Sequence, residues 1–267
     1  MMLLAATPAG AQVTKSPLDA PYAGMGTYSL HFTDPFSGSV NEASLARADI
    51  PAAAVYAERR FLLKALSGYK AVMAIPAKVG GFGFSLDYFG SALFSVSQVG
   101  MGYGKKLNDA LDIGIQINYN NMQLLGYGSA GTITASAGAI WHITPALQTG
   151  IHIYNPVGGK IGNEKLASVY TWGIGYETSD KFFIAGSITK EEDQPVNVNI
   201  GIQYLYARHF FAGAGISSAN NGYFAGLGIG WKTYRLDMVT NYHLQLGFTP
   251  ALMIEFDFKE KTKKEEE

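Results

Sequence analysis

Residues 111–120 read LDIGIQINYN, and their alternation decides the fold. Leu111, Ile113, Ile115, Ile117 and Tyr119 are apolar; Asp112, Gly114, Gln116, Asn118 and Asn120 lie between them. Successive side chains on a strand point to opposite faces. The stretch is therefore a strand with one oily face and one polar face. A soluble sandwich turns the oily face to a core and the polar face to water. An outer-membrane barrel turns the oily face to lipid and the polar face to its interior.

The polar faces of sister strands choose between these. In VNVNIGIQY (196–204), Asn197, Asn199, Gly201 and Gln203 alternate with Val196, Val198, Ile200, Ile202 and Tyr204. In GTITASAGAIW (131–141), Thr132, Thr134, Ser136, Gly138 and Ile140 alternate with Ile133, Ala135, Ala137, Ala139 and Trp141. A water-facing sheet carries Lys, Glu and Arg there. Small neutral polar groups instead suit a crowded barrel interior. Charged residues make up 15% of the chain, against roughly 25% in an ordinary soluble domain. That shortfall belongs to a surface that does not meet water. The net charge of -1 offers no basic field for nucleic acid. There is no Cys, so disulfides and thiolate metal sites are excluded. No run of 18 apolar residues exists to make a transmembrane helix.

From residue 51 the alternation repeats in about fourteen runs, at 51–60, 68–78, 81–89, 93–105, 110–122, 131–143, 146–156, 168–178, 181–190, 196–206, 209–218, 222–233, 234–243 and 249–259. An oblique membrane strand needs roughly 9–11 residues, whereas soluble strands have about five or six. The breaks also alternate. Lys78–Gly80, Asn108–Asp109, Thr144–Pro145, Ser179–Asp180, Ala207–Arg208 and Thr233–Tyr234 are tight. Phe61–Ser67, Gln123–Ala130, Val157–Ala167, Glu191–Pro195 and Ala219–Asn221 are longer or irregular. Short periplasmic turns and longer external loops give this pattern. Aromatic residues such as Tyr69, Tyr119, Trp141, Trp172, Trp231 and Phe258 gather near run ends, where interfacial girdles lie. The expected fold is all-β: a transmembrane antiparallel barrel of about 14 strands over residues 51–259, in the outer membrane, with both termini periplasmic. A soluble β-sandwich is the outside alternative.

The ends of the chain differ from the barrel. Residues 1–11 are apolar and close on Ala9-Gly10-Ala11, which fits a secretory cleavage site, although a basic leading region is absent. Residues 12–50 hold Pro17, Pro21 and Pro35 with several glycines, and read as a plug or hatch. Within it, Ser39-Val40-Asn41-Glu42 has capping-box spacing before Leu45 and Ala46, which predicts one short helix. Residues 260–267 are a charged, solvated tail.

Seven ionisable residues fall on predicted inner faces: Glu58, Asp87, His152, Glu177, Arg235, Asp237 and Glu255. They read either as a polar pathway or latch, or as lumen side chains that fill space and satisfy one another, since buried charges need partners whatever the function. Closure of the last strand on the first would carry Glu255 towards Glu58. Gly126-Tyr127-Gly128-Ser129-Ala130-Gly131 matches a dinucleotide fingerprint but opens no helix. The five histidines show no paired ligand spacing, so no metal or other cofactor is expected. Ser136 and His142 share a strand face but stand roughly 20 Å apart, too far for a catalytic pair. No enzyme activity is expected.

The chain resembles the FadL-like barrels, a family that includes long-chain fatty-acid transporters and the PorV-type proteins of Bacteroidota. The resemblance rests on strand number, turn pattern and the segment Gly24-Met25-Gly26-Thr27-Tyr28, Thr33-Asp34-Pro35-Phe36-Ser37 and Asn41-Glu42-Ala43-Ser44-Leu45-Ala46. It implies a lumenal hatch, with Asp34, Pro35, Asn41 and Leu45 as its motif residues. Glu42 stands where the family has Pro, and Ser44 where it has Gly. Two roles follow from the resemblance. One is passage of small hydrophobic molecules across the outer membrane. The other, favoured by near-minimal external loops, is a non-transporting scaffold subunit of a secretion or assembly complex. The implied partners are the lipid bilayer, a hydrophobic small molecule, and other outer-membrane or periplasmic subunits.

Overall fold

Apolar alternation becomes strand along the whole barrel region. The computed structural model describes residues 22–162, 164–206, 209–218 and 222–258. β1 (Ala52–Arg59), β2 (Ser67–Ala77), β3 (Gly80–Gly90), β4 (Phe94–Lys106), β5 (Leu111–Leu124), β6 (Gly128–His142) and β7 (Leu147–Tyr154) follow in order. A small hairpin, β8 (Lys160–Ile161) with β9 (Glu164–Lys165), stands apart in the next loop. Then come β10 (Val169–Ser179), β11 (Phe182–Glu191), β12 (Asn197–Tyr206), β13 (Phe210–Ser217), β14 (Gly222–Trp231), β15 (Tyr234–His243) and β16 (Gly247–Asp257). β16 pairs back onto β1, from Ala52↔Asp257 to Glu58↔Ala251, and closes an antiparallel barrel of fourteen strands. Closure removes the two edges that an open sheet would leave with unpaired backbone groups in lipid.

The barrel is inside out relative to a soluble domain. On β5, Ile115 and Ile117 are 60% exposed, while Asp112 and Asn118 are 1% and 0% exposed. A sandwich would show the reverse. Val196, Ile200 and Ile202 likewise face outward and Gln203 inward. Ile140, on the face read as polar, is buried with its Thr and Ser neighbours.

The loops alternate less than the sequence suggests. At the end opposite the chain termini, residues 60–66, 155–168 and 192–196 make the longer connections, but 91–93 and 244–246 are short. The break at Gln123–Ala130 shrinks to Leu125–Tyr127, because β5 and β6 extend to Leu124 and Gly128. Gly126 and Gly128 take positive φ (83° and 91°), the conformation a tight turn asks of glycine. The G-x-G-x-x-G spacing is therefore a hairpin turn running into a strand.

Residues 22–50 lie inside the barrel, ahead of β1. They form a 3₁₀ turn at Met25–Tyr28, a single helical turn at Ser37–Val40 and a 3₁₀ helix at Glu42–Arg47. The predicted helix thus splits in two. Its cap is Asn41 rather than Ser39: the Asn41 side chain accepts from Ala43 N at 3.1 Å. The leader reading of 1–11, the start of the segment to residue 21 and the tail at 260–267 fall outside the described residues.

Candidate functional site

The segment and the barrel wall fit through glycine. Gly81, Gly104, Gly114 and Gly138 are successive cross-strand partners on β3 to β6, which makes one row without side chains. Residues 41–46 lie along that row. A Cβ on Gly81 would stand 1.9 Å from the Leu45 carbonyl oxygen. One on Gly104 would stand 2.6 Å from Ala46 N, and one on Gly114 2.3 Å from the Glu42 carbonyl carbon. Leu45, 4% exposed, also fills the space that side chains at Gly83 and Gly102 would need. The pattern recurs round the wall. Tyr28 lies against the paired Gly150 and Gly173, and Tyr22 against the paired Gly213 and Gly226. Glycine is costly in a strand interior and often marks close backbone approach. Here it is an imprint of the segment.

Polar contacts tie the same segment to the wall. The Asp34 carboxylate accepts from Gly24 N at 3.1 Å and Ser37 N at 3.0 Å, closing the turn in which Pro35 fixes φ. Asn41 donates to the Ile151 carbonyl at 2.9 Å. Glu42 is bonded by Ser136 and by His152 Nε2, the latter at 3.1 Å. Burial pushes the Glu42 carboxyl up, but the facing His152 and the Ser136 hydroxyl outweigh it and hold it below the ordinary carboxylate range. A proline here could make neither contact, so Glu42 itself supplies a tether. Ser29 and Leu30 N each donate to Glu177 at 2.5 Å, and His31 also pairs with it. Arg47 reaches Asp112 at 2.5 Å, and His142 Nε2 meets the same carboxylate at 2.6 Å.

All seven ionisable candidates point inward, in five places rather than one. Glu58 accepts from Tyr56 OH at 2.9 Å and pairs with Arg60 at 2.7 Å. Asp87 pairs with Lys70 at 2.8 Å. His152 and Glu177 hold the segment as described. Arg235 pairs with Asp237 at 2.8 Å and faces Glu255 at 3.8 Å, and Tyr22 OH donates to Asp237 at 3.3 Å. The closing register sets Glu255 opposite Ala54 and Arg235, away from Glu58, because Glu58 pairs with Ala251 four positions along. Sequence reasoning left out Glu42, Arg47 and Asp112. Asp112 was visible as the first polar residue of LDIGIQINYN. Glu42 was visible as the end of the capping-box spacing, which carries no sign of a partner on the wall.

Above the segment, the lumen is filled beside β5 to β7 by Asn120, Thr134 and Tyr154 and left open on the other side. A cavity of about 460 Å³ lies between β1, β2 and β10 to β16 and reaches the rim at Phe61, Gly222 and His243. Met25, Tyr28, Phe36 and Val40 of the segment form its apolar floor. Ser187, Thr189, Asn197 and Asn199 make a polar wall on β11 and β12.

No family model matches the chain, and no curated protein does. Solved structures do. The monoaromatic hydrocarbon channel CymD aligns with TM-score 0.67 at 12% identity, covering 94% of this chain and 100% of that one. The toluene transporter TodX of Pseudomonas putida gives 0.66 at 9% identity, covering 91% and 99%. A FadL homologue of Pseudomonas aeruginosa gives 0.61 at 11%, covering 88% and 98%. The chain has the FadL-like barrel fold. Identities this low carry the FadL-like architecture alone. What sets this FadL-like barrel's inner surface is its own chemistry, the glycine rows and the carboxylate tethers.

Proposed function

We propose that the chain is an outer-membrane channel for small, predominantly hydrophobic molecules, with residues 12–50 as its hatch and both termini in the periplasm. The observation that carries this reading is the cavity at the loop end, closed below by apolar side chains of the segment. Its size falls within the roughly 300–1,000 Å³ of small-molecule pockets. The names of the structural neighbours, a hydrocarbon channel and a toluene transporter, agree with it. In this reading the outer apolar face meets lipid, a small molecule enters from the loop end, and no reaction is catalysed. The ionisable lumen residues, with Asp34, Pro35, Asn41 and Leu45, hold the hatch in place.

The test is uptake. In a Gram-negative host lacking hydrocarbon channels, expression should raise accumulation of labelled toluene severalfold over cells carrying an empty vector. Equal rates would rule out passage. A second reading, a scaffold subunit of an envelope complex, is favoured by the tight seating of the segment. It predicts no uptake, together with co-purification of larger subunits in a native pulldown from outer membranes.

A further inference from the structure

The Arg59-Arg60 pair at the loop end of β1 splits across the wall. Arg60 turns inward, pairs with Glu58 at 2.7 Å and lies over the Phe89 ring at 4.6 Å. Arg59 falls on the other face. Ala52, Ala54, Tyr56 and Glu58 are the buried positions of β1, so Ala53, Val55, Ala57 and Arg59 point outward. Lys64 is exposed beside it. Its carbonyl accepts from Ser67 Oγ at 2.9 Å, and Ser67 is the cross-strand partner of Arg59. Neither cation has a side-chain partner among the described residues. The surrounding wall offers none. On β1 to β3, β15 and β16 every carboxylate follows the inward alternation: Glu58, Asp87, Asp237, Glu255 and Asp257. The loops at 60–66, 91–93 and 244–246 contain no Asp or Glu.

The neighbours of Arg59 set its level in the membrane. Tyr69 and Tyr88 are exposed cross-strand partners with rings 6.5 Å apart, and Tyr69 pairs with Ala57, one outward position below Arg59. Outward Tyr rings of this kind sit at the membrane interface. Phe61 and Leu62 take positive φ (53° and 62°), which non-glycine residues rarely adopt, and Leu62 and Leu63 are exposed. Leucines turned outward beside a Tyr belt suit contact with lipid. Below Arg59, Ala57 lies between Leu252 and Tyr69, and Ala53 between Phe256 and Met73, so β1 floors a shallow apolar groove. From Ala53 to Arg59 the strand runs roughly 20 Å. At a tilt of about 40° it descends about 15 Å, the depth of one leaflet.

We infer that the outer face of β16, β1 and β2 holds a phosphate-bearing lipid, its head on Arg59 and Lys64 and an acyl chain in the groove along β1. The Arg59 fork of donors matches a phosphate, and Lys64 adds a compact charge. The anion that these cations lack is supplied by the membrane rather than by the chain. The occupant is a lipid and not free phosphate, because the apolar groove runs directly on from the cations. With both termini in the periplasm the site faces the outer leaflet, and in this it rests on the orientation given with the channel reading.

The test is native mass spectrometry of the full chain in a nonionic detergent, with diphosphorylated lipid A as the probe. One lipid should be retained per barrel. Near an anionic head each Lys or Arg is worth about fivefold in affinity, so R59Q/K64Q should bind roughly thirtyfold more weakly. K105Q removes an outward cation at the opposite rim and should bind as the parent does. Retained heat-modifiable gel migration checks that both variants are folded. Fully dephosphorylated lipid A should bind the parent as weakly as the probe binds R59Q/K64Q, a comparison that needs no variant. Parental binding by folded R59Q/K64Q, an equal loss in K105Q, or indifference to the phosphates of the lipid would overturn the inference. Displacement of the probe by an equal concentration of inorganic phosphate would also overturn it, by assigning the cations to the free ion. The binding is read on purified protein, so a failure of toluene uptake in cells removes the channel and leaves the lipid site standing.

Discussion

In the double variant G81A/G104A, the barrel is expected to stay closed in sequence and open in function. The two glycines are cross-strand partners under residues 41–46. New Cβ atoms would lie 1.9 Å from the Leu45 carbonyl oxygen and 2.6 Å from Ala46 N. Both are backbone atoms, and no rotamer change can relieve the clash. Overpacking of this kind costs about 1–3 kcal/mol per site, occasionally more. The strands themselves feel the opposite effect, since Ala is better than Gly in an ordered interior by roughly 0.5–1 kcal/mol. The split in sign makes the experiment informative. Heat-modifiable migration should be retained, showing an intact barrel. Ion conductance in planar bilayers should rise well above the parent, showing a displaced segment. An intact barrel with parental conductance would mean that residues 41–46 do not block the lumen.

Removal of the Arg235 side chain should give the largest loss of stability. Its guanidinium pairs with Asp237 at 2.8 Å, stacks over the Phe211 ring at 3.8 Å and faces Glu255. Asp237 is 0% exposed. In R235M that carboxylate keeps only the Tyr22 hydroxyl and its own desolvation penalty. Breaking one side of a buried pair costs about 3–5 kcal/mol. Denaturant unfolding in detergent should therefore shift by that amount. R235M/D237N should recover a large part of it, because the neutral amide no longer needs a cation. A shift under about 1 kcal/mol for R235M would show that the pair is solvated and of little consequence.

Much of the wall was legible because a barrel uses one rule throughout. The side-chain period of two, applied to LDIGIQINYN, assigns Ile113, Ile115 and Ile117 to the outside and Asn118 and Asn120 to the inside, as found. Strand ends are harder to read. Gln123 and Ser129 look like loop residues, yet backbone pairing carries them into β5 and β6. The interior contacts were legible only in part. Glu58, Asp87, His152, Glu177, Arg235, Asp237 and Glu255 follow from the same period of two. Their partners do not, since a pair such as Ser29 with Glu177 joins residues far apart in sequence and depends on how the segment winds. The wall partners of Glu42 were hidden for that reason. The glycines were visible in most barrel strands, but only cross-strand register shows that Gly81, Gly104, Gly114 and Gly138 form one row.

The segment has a bearing on how the cylinder is assembled. The seam between β1 and β16 joins the two ends of the sheet, so it closes the longest loop in the chain. Loop closure carries an entropic cost, and pairings remote in sequence form slowly. Residues 22–50 touch both sides of that seam: Leu45 rests on β3 and β4, and Tyr22 on β13, β14 and Asp237 of β15. In any order of assembly where these contacts form first, the two edges are already tethered across the interior. The final zipping then joins neighbours rather than strangers, and the same residues that fill the pore act as the mandrel on which it is rolled.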